Sequence, residues 1–211
     1  DKKNKRNQVV INMNNLNRDI MNMNNKIDIL NENISNDSKL PFSVKSVINN
    51  FRLKGIHGVL GKLIDVPEKY VTAIETALGA NNNVIVVDDE SCAKQAINYL
   101  KENKLGRATF FPISVIKGKN VIYEDLNKVK DLDGYIGTAN ELVKYNDEYN
   151  NIVMNQLGNV IVVDNIDTLN KVGKLIQYKY KIVSLDGEIS YSGGAITGGT
   201  TKNSGSVINQ K

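Results

Sequence analysis

The hexapeptide NVIVVD stands twice in this chain, at 83–88 and again, letter for letter, at 159–164. A β-branched run this short and this apolar reads as a buried strand, because branched side chains pack well on a pleated surface. Similar elements follow each copy. After the first, ESCAKQAINYLKEN at 90–103 places Ala93, Ala96, Ile97 and Leu100 on one helical face, and RATFF at 107–111 reads as a strand stopped by Pro112. After the second, Leu169, Val172, Leu175 and Ile176 share a helical face and KIVSL at 181–185 is a strand. The offset is read as 76 residues throughout. A helix is also expected ahead of each copy. Val66-Pro67-Glu68 opens the first, with Val71, Ile74 and Leu78 inward and Gly79 as its C-terminal cap; residues 141–158 read as the second, ending at Gly158. The expected fold class is α/β (α+β), built from two similar strand–helix–strand subdomains.

The first forty residues obey a different period. Val9, Met13, Leu16, Ile20, Met23, Ile27, Leu30 and Ile34 advance by alternating steps of four and three, and nearly everything between them is Asn, Lys, Asp or Glu. That is a coiled-coil seam. So narrow a stripe cannot stabilise a helix alone, and no partner of comparable length occurs elsewhere in the chain. The competing reading is a disordered Asn-rich tail. Pro41 closes the region.

Composition excludes more than it suggests. One cysteine, Cys92, rules out an internal disulfide and a thiolate zinc cage, and one histidine, His57, weakens His-dependent catalysis. A net charge of +4 permits contact with nucleic acid without arguing for it. No apolar run approaches a membrane span and no signal peptide opens the chain, so a reducing cytoplasm is the expected home. The start at Asp1 suggests a piece of something longer. The nearest thing to a phosphate loop, Gly61-Lys62, lacks the preceding glycine and the following hydroxyl of a Walker A motif. GIHGVLG at 55–61 has the wrong glycine spacing and reads as a turn. YSGG at 191–194 resembles an ATPase signature that acts only opposite a Walker A site. His57 has no partner at a recognisable spacing, Cys92 reads as a small apolar filler, and Asp88/Asp89 and Asp164 fall where helix N-caps belong. No catalytic, cofactor-binding or metal-binding constellation emerges.

Five of the sixteen glycines crowd into DGEISYSGGAITGG, 186–199. Asp186-Gly187 reads as a two-residue hairpin turn, Glu188–Tyr191 as the returning strand, and the two glycine pairs bracket a short strand, Ala195–Thr197. An edge segment free of side-chain bulk can pair with a strand of another chain.

These stretches taken together, from GIHGVLGKLIDVPEKYVTAIETALG through both NVIVVD copies and the FFP at 110–112 to VSLDGEISYSGGAITGG, closely resemble the hinge of structural maintenance of chromosomes (SMC) proteins. The resemblance covers about residues 41–200. It implies the SMC hinge fold: two small subdomains with mixed sheets, at 41–130 and 131–200, an N-terminal coiled-coil arm at 1–40, and at 201–211 the start of a return coil or a disordered tail. It implies a homodimer of the prokaryotic condensin type, subdomain one of each chain meeting subdomain two of the other, with Gly193, Gly194, Ala195, Ile196, Thr197, Gly198 and Gly199 at the contact. A heterodimeric cohesin or condensin hinge, or a module that primarily binds DNA, is the alternative. ATP, magnesium and accessory condensin subunits belong, on this resemblance, to absent head domains, and the setting is nucleoid-associated cytoplasm without a membrane. A basic zone implies non-specific DNA contact through Lys45, Arg52, Lys54 and Lys62, with Lys39 and Lys202 nearby. A solvated face of a Lys-rich chain accounts for the same residues.

Overall fold

The computed structural model describes residues 2–36, 40–200 and 208, and the chain divides into two compact units, Asp1–Leu40 and Pro41–Lys211. The first unit is one helix, α1 (Lys2–Asn36). Val9, Met13, Leu16, Ile20, Met23 and Ile27 are each more than half exposed. The apolar seam is therefore formed and uncovered over these residues, as a stripe that needs a second helix should be. The side chains of Leu30 and Ile34, and Lys39 as a whole, lie outside the described residues.

The second unit is one plan executed twice. α2 (Phe42–Ile48) leads into β1 (Ile56–Val59), a single turn α3 (Leu60–Leu63), β2 (Ile64–Asp65), a 3-10 turn at Glu68–Tyr70, α4 (Val71–Leu78), β3 (Ile85–Val87), α5 (Glu90–Glu102) and β4 (Phe110–Pro112). The second half follows: α6 (Tyr123–Val129), β5 (Tyr135–Thr138), β6 (Lys144–Tyr145), a 3-10 turn at Asp147–Tyr149, α7 (Asn150–Leu157), β7 (Val160–Val163), α8 (Ile166–Leu175) and β8 (Lys181–Ser184). It then adds a hairpin, β9 (Ile189–Ser190) and β10 (Ile196–Thr197). The sheets run β1-β3-β4 and β5-β7-β8-β9-β10. In each, the NVIVVD strand lies inside the sheet, antiparallel to the first strand and parallel to the one after its helix. Both sheets are thus mixed. Even the irregularity repeats: register shifts between Ile56 and Gly58 against β3, and between Tyr135 and Gly137 against β7.

The halves meet at β2 and β6, which pair antiparallel as Ile64↔Tyr145 and Asp65↔Lys144. Asp65 and Lys144 are equivalent positions in the two halves, so this pair lies on the approximate two-fold axis relating them. One core spans both: Ile74, Ala77 and Leu78 of α4, Ile152, Val153 and Leu157 of α7, Val86, Val160, Val162, Val183 and Ile208. Val160 and Val162 face that core, while Ile161 and Val163 face a second one under α8, with Val129, Leu169, Val172 and Ile176. Burial on both faces is why β7 is apolar at every residue.

Several expectations change. The offset is 79 residues from Gly55/Gly134 to Leu78/Leu157; it becomes 76 at the hexapeptides, because a five-residue 3-10 turn, Gly79–Asn83, stands where the second half has Gly158 and Asn159, and 72 at the last strand pair, Phe110/Ile182, because α5 is longer than α8. Residues 141–149 are two 3-10 turns flanking β6, and the helix begins at Asn150. GIHGVLG is β1 and the start of α3, not a turn. Pro112 belongs to β4: Ile113 N–H and Thr109 O bond to β3, so the alternate residue Pro112 has its nitrogen on the open side and no ladder bond is lost. Ile97 and Leu175 sit at the margins of their helix faces, 38% and 45% exposed. The Asp186-Gly187 turn is a three-residue loop, in which Gly187 N–H donates to Ser184 O before Ser184 and Glu188 pair.

Candidate functional site

The closing glycines build a hairpin at the edge of the larger sheet. β10 pairs with β9 through Ile196↔Ser190 and Thr197↔Ile189, and among the described residues no strand lies on its other side. Tyr191 N–H donates to Ala195 O at 2.8 Å, which makes that pair the hydrogen-bonded one. Antiparallel pairs alternate, so the N–H and C=O of the next residue, Ile196, point away from β9. Ile196 is 46% exposed and Tyr191 42%. The glycines serve the backbone first. Gly193, Gly194 and Gly199 hold φ of 94°, 95° and 116°, where a Cβ is strained, and a Cβ on Gly193 or Gly199 would meet no atom of this chain within 4 Å. Gly198 is different: its Cβ position is 3.0 Å from Glu188 Cγ.

The first half carries the complementary feature. β8 is covered by β9, but β4, its counterpart, has no strand on its outer side among the described residues. Phe110, Phe111 and Pro112 are half-buried there. By the same alternation that frees Pro112, the N–H and C=O of Phe110 face outward.

The four cations expected on one basic surface fall on three successive segments of the first half. Lys45 is on α2, and Arg52 and Lys54 are exposed on the segment after it. Lys62 instead lines a cleft of about 400 Å³ beside the β2–β6 pair, with Asp65, Lys144, Tyr145 and Tyr149. Lys202 lies outside the described residues.

Residues the sequence left idle turn out to tie the halves together. His57 Nε2 is 2.6 Å from Asp88 Oδ1 and Nδ1 is 2.9 Å from the Tyr149 hydroxyl, with the rings edge to face. The expectation that His57 lacks an acidic partner is therefore corrected; Asp88 and Tyr149 are 31 and 92 residues away and no spacing rule reaches them. Burial, then the neighbouring Glu148, raises the Tyr149 hydroxyl above its ordinary range. Lys181 Nζ donates to Ala77 O at 2.9 Å, closing the end of α4 from the other half, and burial holds its ammonium below the usual lysine range. The buried Asp125 carboxylate, 1% exposed, accepts from Lys128, Lys179 and Tyr180. The Lys128 hydrogen bond is the main cause of its lowered pKa.

Of the expected N-caps Asp89 is one, whereas Asp88 and Asp164 are not. Asp89 caps α5 by accepting from Cys92 N–H at 2.9 Å, and Asn165 caps α8, accepting from Asp167 and Thr168 N–H. Asp88 instead holds His57, and Asp164 accepts from Asn165 N–H. Burial, then Asp89, pushes the Cys92 thiol up, away from thiolate reactivity. Among the described residues no group of three or more His, Cys, Asp or Glu is placed to hold a metal, and no helix is long and apolar enough to cross a membrane.

A family model for the flexible hinge domain of SMC proteins matches residues 53–172. Chromosome partition proteins Smc of Clostridium kluyveri and Bacillus subtilis are 43% identical over 154 residues and 41% over 151, in each case 72% of this chain. The match covers 13% of the length of those relatives. Among solved structures, an asymmetric dimer of the Geobacillus stearothermophilus SMC hinge superimposes with a TM-score of 0.77 at 40% identity, covering 86% of this chain and 75% of that one. The Pyrococcus furiosus SMC hinge gives 0.65 at 30%, covering 87% and 92%.

Proposed function

This chain belongs to the SMC hinge family, and from that premise we propose that it joins two copies of a long chromosome-partition protein, β10 of each copy adding to the open edge of β4 in the other. The observation that carries the reading is the pair of unfilled edges, one in each half, each presenting an outward-facing backbone donor and acceptor. Turning one copy by two-fold symmetry uses each edge once and closes the assembly, so no edge is left to propagate. Gly193, Gly194, Ala195, Thr197, Gly198 and Gly199 flank Ile196 on the pairing segment. The uncovered seam of α1 is then one strand of a coiled-coil arm, and ATP and magnesium are handled by distant head domains in a cytoplasmic, nucleoid-associated protein.

Sedimentation equilibrium tests this. The native chain should be a dimer at micromolar concentration. Ile196→Pro, which removes only an outward N–H, should be a folded monomer. A native monomer would point to a different chain as the partner.

A second role rests on the exposed Arg52 and Lys54 beside Lys45: non-specific contact with DNA phosphates, falling with salt. Binding by Arg52→Glu/Lys54→Glu that matches the native chain at every salt concentration would remove it.

A further inference from the structure

Beyond the pairing edge itself lies the question of what holds it in place. α8 leaves through two consecutive non-glycine residues in the left-handed region, Gln177 at φ 55° and Tyr178 at φ 52°. L-residues seldom hold that conformation in succession. The excursion has a consequence. Tyr178 N–H donates to Gly173 O at 2.8 Å, and Tyr178 O accepts from Gly193 N–H at 2.9 Å. Next to it Lys179 O accepts from Ser192 Oγ at 3.0 Å. The Tyr178 ring lies between two glycines. A Cβ on Gly173 would run into it, and the Cβ position of Gly194 is 3.6 Å from its Cγ. Backbone and ring together fix the turn at 192–194, which sets the direction of β10.

The duplication supplies an internal control. Among the described residues the first half has no strand beyond β4, and α5 ends with the same backbone pattern, Lys104 at φ 53° and Leu105 N–H donating to Leu100 O at 3.0 Å, so that Leu100 and Leu105 stand where Gly173 and Tyr178 do. The glycine-and-tyrosine device occurs only in the half that carries the extra hairpin.

We infer that Tyr178, seated on Gly173, is a positioning residue for self-association: it pre-orders the glycine turn so that the edge of β10 is presented ready to pair. This rests on the reading of β10 as the contact between copies. The ring does the work, since ring atoms are what the Cβ positions of Gly173 and Gly194 approach.

The test is sedimentation equilibrium on the whole chain and on Tyr178→Ala, Tyr178→Phe, Gly173→Ala and Ile196→Pro, with amide exchange followed at Gly193 and, as a measure of the core, at Val162 and Ile182. Losing pre-organisation should weaken the dimer about tenfold in Tyr178→Ala and Gly173→Ala, the size expected when a binding segment must be ordered on association. Gly193 should exchange faster in both while Val162 and Ile182 stay protected, and Tyr178→Phe should behave as the native chain. Gly173→Ala is the safer variant for folding, because alanine favours the helix it enters. Native-like association of both variants, with Ile196→Pro monomeric, overturns the role of Tyr178 and leaves the β10 contact standing. A dimeric Ile196→Pro overturns the contact and the inference with it. Protection lost at Val162 and Ile182 along with Gly193 in both variants would make Tyr178 a packing residue of α8 and overturn the inference too.

Discussion

The two halves of the body share an order of elements, a bulge and a core, and they differ at one end. Among the described residues the first stops at β4 and leaves that strand's edge open. The second covers the equivalent strand with β9 and carries its own open edge outward on β10. Two identical halves would offer two identical edges. The extra hairpin makes them different, so that in a symmetric pair each edge can meet its complement in the other copy. The halves differ inside as well. His57 reaches across to Asp88 and Tyr149, whereas Ile136 and Tyr70 occupy the places equivalent to His57 and Tyr149, and no polar bridge joins them.

The largest effect expected from setting one half against the other is in the helices. Leu169→Ala in α8 removes a fully buried side chain and should cost about 3 kcal/mol in urea unfolding at fixed protein concentration. Ile97→Ala on α5, 38% exposed, should cost under about 1 kcal/mol. Equal losses would mean the helices are packed alike. Next come the glycines that precede the first strand of each half. Gly55 and Gly134 hold φ of 69° and 88° and accept at their carbonyls from Asp88 and Asp164 N–H. A Cβ would sit 2.5 Å from Cys92 Sγ at Gly55, and would collide with Asp164 and Thr168 at Gly134. Gly134→Ala should therefore destabilise by about 2 kcal/mol and Gly55→Ala by somewhat less, about 1 to 2 kcal/mol.

The polar bridge gives a smaller contrast. Tyr149→Phe should cost about 1 kcal/mol, and Tyr70→Phe, at the matched position, under about 0.5 kcal/mol. The smallest effect is in acid. Asp125 is held below the usual carboxylate range, so the stability it contributes is present above its unfolded pKa of about 4 and is lost as pH falls through its lower folded value. Protection factors in α6, which Asp125 anchors, should fall below about pH 4. Those in α2 should not, because that helix is held by Ser43 Oγ donating to Arg107 O at 2.6 Å. An α2 that loosens in step with α6 would point to global acid unfolding.

The central strands were legible because their residues are apolar on both faces, and α8 because Leu169, Val172 and Ile176 keep a helical spacing. The full duplication was harder to read. Tyr70/Tyr149 and Leu78-Gly79/Leu157-Gly158 repeat at 79 residues and the hexapeptide at 76, so a single offset hides half of the signal. That shift also concealed β6: Leu142, Val143, Tyr145 and Tyr149 suit a helical face, and only alignment with Leu63, Ile64, Val66 and Tyr70 marks them as extended and 3-10 backbone. The open edge of β10 was suggested by its glycines. Their positive φ values were not, since spacing reveals that glycine is needed but not whether space or backbone needs it. His57 stayed silent because its partners come from a strand end and from the other half, joined only by folding.

The most direct measurement is concentration-dependent amide exchange at Ile196 and Phe110. Within one chain both N–H groups face away from their sheets. If copies join edge to edge, both should be protected at high concentration and exchange freely on dilution, together. A chain that sediments as a dimer while both amides exchange equally fast at every concentration would contradict the account and move the contact to another surface.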